Sequence, residues 1–241
     1  MAQLFAGTSG WAYASWKPAF YPEKLAQKKF LSYYTTRLNT VEVNFTFRQL
    51  VKESTIQNWL EESPGHFHFA VKAHQVITHI KRLKGTEDFV PRFLSTIEPL
   101  AAAGKLGPVL FQLPPNLKAD AALLKDFLAI LPKTVPTAFE FRHESWFTDA
   151  TWEVLKSGNA ALCVAETETR TTPDVATGAF AYYRFRKPTY TGEEQRSMIG
   201  RIEQHLSEGR NVFVYFKHEE TPEGALYAVE MLRQIGGMAN G

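Results

Sequence analysis

Residues 67–72 read Phe-His-Phe-Ala-Val-Lys, and the alternation within this short stretch decides the fold. The three odd-numbered side chains are bulky and apolar, whereas the even-numbered ones are histidine, alanine and lysine. Successive side chains of a β-strand point to opposite faces of the sheet. We therefore predict a strand that packs its apolar face against helices and presents Lys72 on the other face, near its carboxyl end.

Similar strand-like runs recur along the chain, and helical patterns separate most of them. The eight predicted strands cover residues 4–8, 40–45, 67–72, 108–113, 137–141, 161–165, 179–185 and 211–216. The predicted helices cover residues 30–37, 52–62, 87–103, 120–131, 148–157, 193–207 and 223–235. This alternation is typical of a parallel sheet covered by helices, and eight units predict closure into a single (β/α)8 TIM barrel over residues 1–241.

Two features refine that fold prediction. Residues 166–178 lack a helical period, so we expect an irregular connection around the sixth strand. The alternative architecture is an open, doubly wound sheet. It is less favoured because no Gly-x-Gly-x-x-Gly turn follows the first predicted strand.

Composition narrows the classes of function. The chain has 27 basic and 25 acidic residues, a balance that offers no general coat for nucleic acid or a membrane surface. No run of about 18 apolar residues is present, so we expect no membrane span, and the first residues do not resemble a signal peptide. These features predict a cytoplasmic protein. Cys163 is the one cysteine, which excludes an intrachain disulfide, and its apolar surroundings predict a buried side chain.

The strand alternation also places polar side chains inward, at or near the carboxyl ends of several strands. They are Glu42, Asn44, Lys72, Gln112, Glu140, Arg142 and Arg184. A barrel interior is normally filled by branched apolar residues, and buried charges need partners. The set is therefore either a paired structural network or a ligand site. Its position favours a site, because TIM-barrel sites lie at the carboxyl ends of the strands.

Several motifs resemble the YecE-like family, known as domain of unknown function 72 (DUF72). They include Gly7-Thr-Ser-Gly-Trp11, Asn39-Thr-Val-Glu-Val-Asn44, Phe69-Ala-Val-Lys72, Phe111-Gln-Leu-Pro114, Glu140-Phe-Arg-His143 and Ser145-Trp146. The resemblance spans nearly the whole chain and implies a TIM barrel, but it implies no established reaction. The chain departs from the family pattern at Arg184-Phe-Arg-Lys187 and at Phe216-Lys-His-Glu219, where charged residues replace small or neutral ones.

The leading hypothesis is an enzyme, a hydrolase or a lyase, that acts on a phosphate-bearing or other anionic substrate at the barrel mouth. Arginine and lysine bind phosphate or carboxylate oxygens, and histidine exchanges protons near neutral pH. The candidate catalytic residues are Glu42, Lys72, Glu140, Arg142 and His143. The candidate ligand-binding residues are Thr8, Ser9, Trp11, Asn44, His74, Gln112, Trp146, Arg184 and Lys217. We expect neither a metal nor a cofactor.

Two alternatives remain open. A glycoside hydrolase could use Glu42 and Glu140 as paired carboxylates, with Trp11, Trp16 and Trp146 as aromatic residues at the mouth. Neighbouring cations argue against it, because they would keep both acids ionised. A non-catalytic nucleic-acid-binding protein could use the basic segment of residues 74–84, if that segment is an exposed loop.

Overall fold

Eight parallel strands form a nearly closed barrel in a computed structural model of the chain, which describes residues 1–169, 171–217 and 220–238. The strands are β1 (Leu4–Thr8), β2 (Thr40–Val43), β3 (His68–Lys72), β4 (Leu106–Gln112), β5 (Thr137–Glu140), β6 (Ala161–Glu166), β7 (Phe180–Phe185) and β8 (Asn211–Phe216). Their order in the sheet is β1-β8-β7-β6-β5-β4-β3-β2. The predicted TIM-barrel fold is therefore confirmed, with strand ends that shift by only one or two residues.

Seven α-helices surround these strands in the described part of the chain. They are α1 (Phe30–Tyr34), α2 (Glu53–Glu62), α3 (Phe89–Ala102), α4 (Ala121–Ile130), α5 (Asp149–Ser157), α6 (Gly192–Ser207) and α7 (Glu223–Met238). Helix α4 begins where predicted because the Asp120 carboxylate accepts a hydrogen bond from the Leu123 amide. None of the described helices is both long enough and apolar enough to cross a membrane.

The connection after β6 is irregular, as the missing helical period predicted. Residues 167–169 and 171–179 contain no helix, whereas a helix precedes every other strand from β2 onward. Thr171 instead pairs with Glu166 in an isolated antiparallel bridge.

The barrel interior is a separate apolar layer, distinct from the larger layer between strands and helices. Its buried members are Phe5, Ala70, Leu110, Ala138, Ala161, Cys163, Ala165, Tyr182, Phe213 and Tyr215. Phe69 and Val71 lie in the outer layer, so β3 alternates as its sequence predicted. Cys163 is a buried free thiol, which confirms its predicted packing role. Nearer the carboxyl ends of the strands than this apolar layer, the inward side chains of β2 to β5 and β7 are polar. They form the floor of the barrel mouth.

An asparagine side chain joins β1 to β2, the two strands at the ends of the sheet order. The Asn39 amide donates to the Leu4 carbonyl at 2.8 Å, and its oxygen accepts from the Ala6 amide at 2.9 Å. One side chain therefore satisfies a backbone donor and a backbone acceptor of β1, as a neighbouring strand would.

A tyrosine completes the same seam and brings the two backbones close together. The Tyr34 hydroxyl accepts from the Thr8 amide at 2.9 Å and donates to the Thr40 carbonyl at 3.0 Å. A Cβ atom at Gly7 would lie 1.9 Å from that carbonyl oxygen. Only glycine fits at this position, because a backbone carbonyl cannot be displaced as easily as a flexible side chain.

Replacement of Gly7 by alanine should therefore open the seam and destabilise the fold by more than about 3 kcal/mol. Gly65→Ala is the matched control, because no atom lies within 4 Å of the added methyl group. The control should stay within about 1 kcal/mol of the parent in urea unfolding. Equal stability of the two variants would show that the seam does not depend on Gly7.

Candidate functional site

A buried arginine holds two glutamates together at the floor of the mouth. Arg184, near the end of β7, is 1% exposed. Its Nη2 atom donates to Oε1 of Glu42 on β2 at 2.7 Å, and its Nη1 atom donates to Oε2 of Glu140 on β5 at 2.5 Å. Both carboxylates are also buried. The structure therefore unites three residues that the strand alternation predicted to face inward, from three different strands.

Glu42 accepts hydrogen bonds from three further side chains. Ser9 Oγ lies 2.8 Å and Asn44 Nδ2 lies 3.0 Å from Oε1, while the Tyr182 hydroxyl donates to Oε2 at 2.7 Å. Burial alone would raise the pKa of Glu42, but Arg184 and these hydrogen bonds outweigh burial and lower it. Glu42 is therefore a carboxylate that accepts hydrogen bonds from four side chains, counting Arg184, and it is suited to hold those groups in place.

Glu140 is linked to the mouth through an amide. Gln112 Nε2 donates to both Glu140 oxygens at 2.9 Å, and Gln112 Oε1 accepts from the Lys72 ammonium at 2.9 Å. Burial opposes ionisation, but Arg184, Arg186 and the Gln112 hydrogen bond lower the pKa of Glu140 to about 2. The carboxylate and the ammonium thus determine which way the amide points.

Lys72 lies above this buried layer, where it is half-buried. Its Nζ atom is 4.3 Å from the centre of the Phe47 ring, and its hydrogen-bond partner Gln112 is neutral. Burial and the positive charge of Arg184 lower the pKa of Lys72 to about 8, although Glu42 and Glu140 partly oppose this. Lys72 can therefore carry a proton in either direction near physiological pH.

Arg186 adds a second cation to the mouth. It follows Arg184 by two residues, it is half-buried, and its Nε atom is buried without a hydrogen-bond partner among the described residues. Burial, and then repulsion from Arg184, lower its pKa, although it remains a strong base. Arg184, Arg186 and Lys72 together exceed Glu42 and Glu140 by one positive charge. The cluster is therefore suited to an anion.

A histidine that the sequence reasoning did not select also reaches the mouth. His79 lies in a π-helical turn, Val76–Ile80, and its ring contacts Phe47 edge-on at 4.8 Å between centroids. Burial, then Lys72 and Arg142, lower the pKa of His79, so its ring is neutral at pH 7. The nucleic-acid alternative requires residues 74–84 to form an exposed basic loop. The structure argues against that alternative, because Ile77 and Thr78 are buried and only part of the segment faces solvent.

Three predicted ligand-binding residues lie away from the mouth. Trp146 is fully buried, stacks on Phe141 and donates its indole N–H to the Leu117 carbonyl at 2.8 Å, so it is not a mouth aromatic. Thr8 contacts the seam tyrosine, Tyr34, because its strand position points outward. The His74 ring accepts from the Val76 amide and packs near Phe89. Trp16, considered with the mouth aromatics, is fully buried as well.

The remaining candidates border the mouth or its loops. Arg142 is half-buried and close enough to His79 to affect its pKa. His143 Nδ1 accepts from the Ser145 amide at 3.2 Å, so one ring nitrogen caps the short turn Glu144–Trp146. Lys217 is half-buried just after β8. His218 and Glu219, where the chain departs from the family pattern, lie outside the described residues.

The geometry weakens the glycoside hydrolase alternative. That reaction needs one protonated carboxylic acid and one carboxylate or nucleophile. Glu42 and Glu140 both share the guanidinium of Arg184, and the pKa of each is lowered. Neither group is available as a proton donor. Within residues 1–169, 171–217 and 220–238, no group of three or more His, Cys, Asp or Glu side chains is placed to hold a metal ion.

Comparison with known proteins shows which proteins this chain resembles. The sequence pattern of the family described as "Protein of unknown function DUF72" matches residues 5–240. The UPF0759 protein YunF of Bacillus subtilis is 29% identical over 156 residues, which are 62% of this chain and 54% of YunF. The UPF0759 protein YecE of Escherichia coli K12 is 31% identical over 118 residues, or 48% of this chain and 43% of YecE. The match therefore spans about half the length of these relatives.

Solved structures of similar proteins match this chain over almost its full length. A DUF72 family protein from Thermotoga maritima has a TM-score of 0.85 at 26% identity, with 97% of this chain and 99% of that chain covered. A DUF72 family protein from Enterococcus faecalis has a TM-score of 0.78 at 17% identity, with 98% of each chain covered. These similarities support the barrel and leave the chemistry to be argued from the site.

The lowered pKa of Lys72 predicts an unusual reactivity toward acetic anhydride. Because only the neutral amine reacts, the rate of Lys72 acetylation should rise with pH and reach half its maximum near pH 8. An ordinary exposed lysine has its midpoint about two units higher. Peptide mass spectrometry can follow Lys72 against the exposed Lys133 in the same sample. Coincident profiles for the two lysines would contradict the environment described for Lys72.

Proposed function

This chain belongs to the DUF72 family, and from that premise we propose that it is an enzyme, a hydrolase or a lyase, acting on a phosphate-bearing or other anionic substrate. The observation that carries the proposal is the surplus of positive charge at the barrel mouth. Arg184 and its two carboxylates carry one net negative charge, and the half-buried Arg186 and Lys72 beside them turn this into a surplus of one positive charge. A bound anion would offset that surplus where water is partly excluded, so the attraction would be stronger than at an open surface.

The cations have different tasks in this proposal. Arg184 is too deeply buried to meet a substrate, and it positions Glu42 and Glu140. The Arg186 guanidinium, with its unpartnered Nε atom, binds the anionic group, since an arginine fork matches the oxygens of phosphate or carboxylate. Arg142, whose charge acts on His79, supplies a further cation near this space. The anion is thereby held next to the residues that exchange protons.

Lys72 and His79 are the proton carriers. A lysine with a pKa near 8 is present in both protonation states at physiological pH, and a neutral imidazole lies beside it. One group can accept a proton from water or from a substrate carbon while the other donates to the leaving group. Such paired transfer suits hydrolysis or elimination. Glu140 supports it indirectly, because Gln112 transmits its position to the Lys72 ammonium.

The binding half of the proposal predicts that Arg186→Met weakens the affinity for inorganic phosphate by about 10- to 100-fold, the value of one charge-assisted hydrogen bond. Arg196→Met is the matched control, because Arg196 is an exposed residue of α6. Isothermal titration calorimetry at low ionic strength should find its affinity equal to that of the parent. Equal affinity in Arg186→Met, or no binding to the parent at millimolar phosphate, would contradict an anion site at this position.

The catalytic half is tested with the same proteins. A panel of phosphorylated and carboxylated small molecules is incubated with the parent, and substrate loss is followed by mass spectrometry. Any turnover found should be abolished by Lys72→Met while the unfolding temperature is retained. Turnover that survives Lys72→Met would exclude Lys72 as the proton carrier, and phosphate binding without turnover of any compound would favour a binding protein.

A further inference from the structure

An open cavity of about 290 Å³ lies beside the charged network, between the loop after β1 and the turn after β2. Its walls are mainly apolar and aromatic, and helix α2 closes the far side. Its lining residues include Ser9, Trp11, Asn44, Phe45, Thr55 and Trp59. The volume is at the lower end of the range for small-molecule sites, so it suits part of a ligand.

The cavity shares a wall with the charged site. Ser9 and Asn44 line it, and both donate hydrogen bonds to the same oxygen of Glu42. Arg184 donates to that oxygen too, and Arg186 follows two residues later along the chain. Ser9 Oγ and Asn44 Nδ2 are directed at Glu42, and most of the other lining side chains are apolar or aromatic. The space next to the cationic mouth is therefore mainly apolar.

The aromatic walls are held in place before any ligand arrives. Trp59 is 5% exposed and stacks on Phe69 of the outer core. Trp11 and Phe45 each meet Trp59 edge-on, at 5.7 Å between ring centroids. Phe45 is 37% exposed, which is unusual for a large apolar side chain in this chain. An exposed aromatic ring at the rim of a preformed apolar cavity indicates a binding surface.

We infer that this cavity binds the flat, apolar part of the substrate whose anionic group is bound at Arg186 and Lys72. The substrate class is then an aromatic or similarly planar group joined to a phosphate or a carboxylate. This inference rests on the proposed function and specifies its substrate. A bare anion would leave the aromatic cavity unfilled, and a neutral apolar ligand would leave the positive surplus of the mouth unmatched.

Three probes separate the two parts of the site, namely inorganic phosphate, 1-naphthyl phosphate and neutral 2-naphthol. Burial of the ring should make 1-naphthyl phosphate bind the parent about 10- to 100-fold more tightly than inorganic phosphate. 2-Naphthol should bind far more weakly than 1-naphthyl phosphate, because it lacks the group that the cations hold. Calorimetry at fixed ionic strength gives all three affinities.

Thr55→Trp tests the location, because Thr55 lines the cavity from α2 and takes no part in the charged network. The added indole should fill the cavity and reduce the preference for 1-naphthyl phosphate to within about threefold, with phosphate affinity unchanged. Ser54→Trp is the matched control, since Ser54 is exposed on the same helix, and it should retain the full preference.

The outcomes distinguish the inference from the function on which it rests. Parent protein that binds phosphate without preferring 1-naphthyl phosphate would overturn the inference and leave the anion site intact. A preference that persists in Thr55→Trp would place the ring elsewhere and overturn it too. Equal affinities for 2-naphthol and 1-naphthyl phosphate would show that the cavity and the cations do not bind one molecule. Absence of phosphate binding would instead remove the proposed function itself.

Discussion

The buried ion pairs of Arg184 with Glu42 and Glu140 are the interaction on which the rest of the site depends. Three charges inside a barrel carry a large desolvation cost, which is offset only when each ion finds well-placed partners. Here the partners come from β2, β5 and β7, so the network requires those strands to keep their mutual positions. Removal of Arg184 would leave two buried carboxylates without their shared partner, at a cost of about 3–5 kcal/mol.

Each of these two carboxylates also contacts a different part of the site. Through Gln112, Glu140 positions Lys72, whose surroundings then lower its pKa. Glu42 also accepts hydrogen bonds from Ser9 and Asn44, two residues that border the aromatic cavity. A charged region and an apolar region therefore adjoin across a single shared carboxylate. That arrangement is the physical reason for proposing a substrate with one anionic end and one flat apolar end.

Much of this could be predicted from the sequence, because strand alternation is a local property. Inward positions for Glu42, Lys72, Gln112, Glu140 and Arg184 follow from a period of two, without knowledge of strand neighbours. The partners themselves could not be predicted, since they depend on how distant strands align in the barrel. The joining of Glu42 to Arg184 brings together residues 142 positions apart.

Where the sequence did not predict the position of a side chain correctly, the cause is also local. Trp146 follows His143 closely and was expected at the mouth, but a 3-10 turn directs it into the core against Phe141. The position of His79 could not be predicted, because a π-helical turn has no simple sequence period. That turn brings the His79 ring to Phe47. Arg186 lies two residues after Arg184, so the same strand alternation would have predicted an inward side chain there. However, it lies just past the end of β7, where strand alternation no longer determines the direction of a side chain.

The most direct test of the account compares the pH dependence of unfolding for the parent and Glu140→Gln. The ionised Glu140 has its pKa lowered from 4.5 to about 2, so its contribution of about 3 kcal/mol is present above pH 5 and disappears as the pH falls toward 2. Urea unfolding should therefore show Glu140→Gln much less stable than the parent at pH 7, with a gap that narrows steadily toward pH 2–3. A gap that stays constant across this range would contradict the claim that an ionised, arginine-paired carboxylate holds the mouth together.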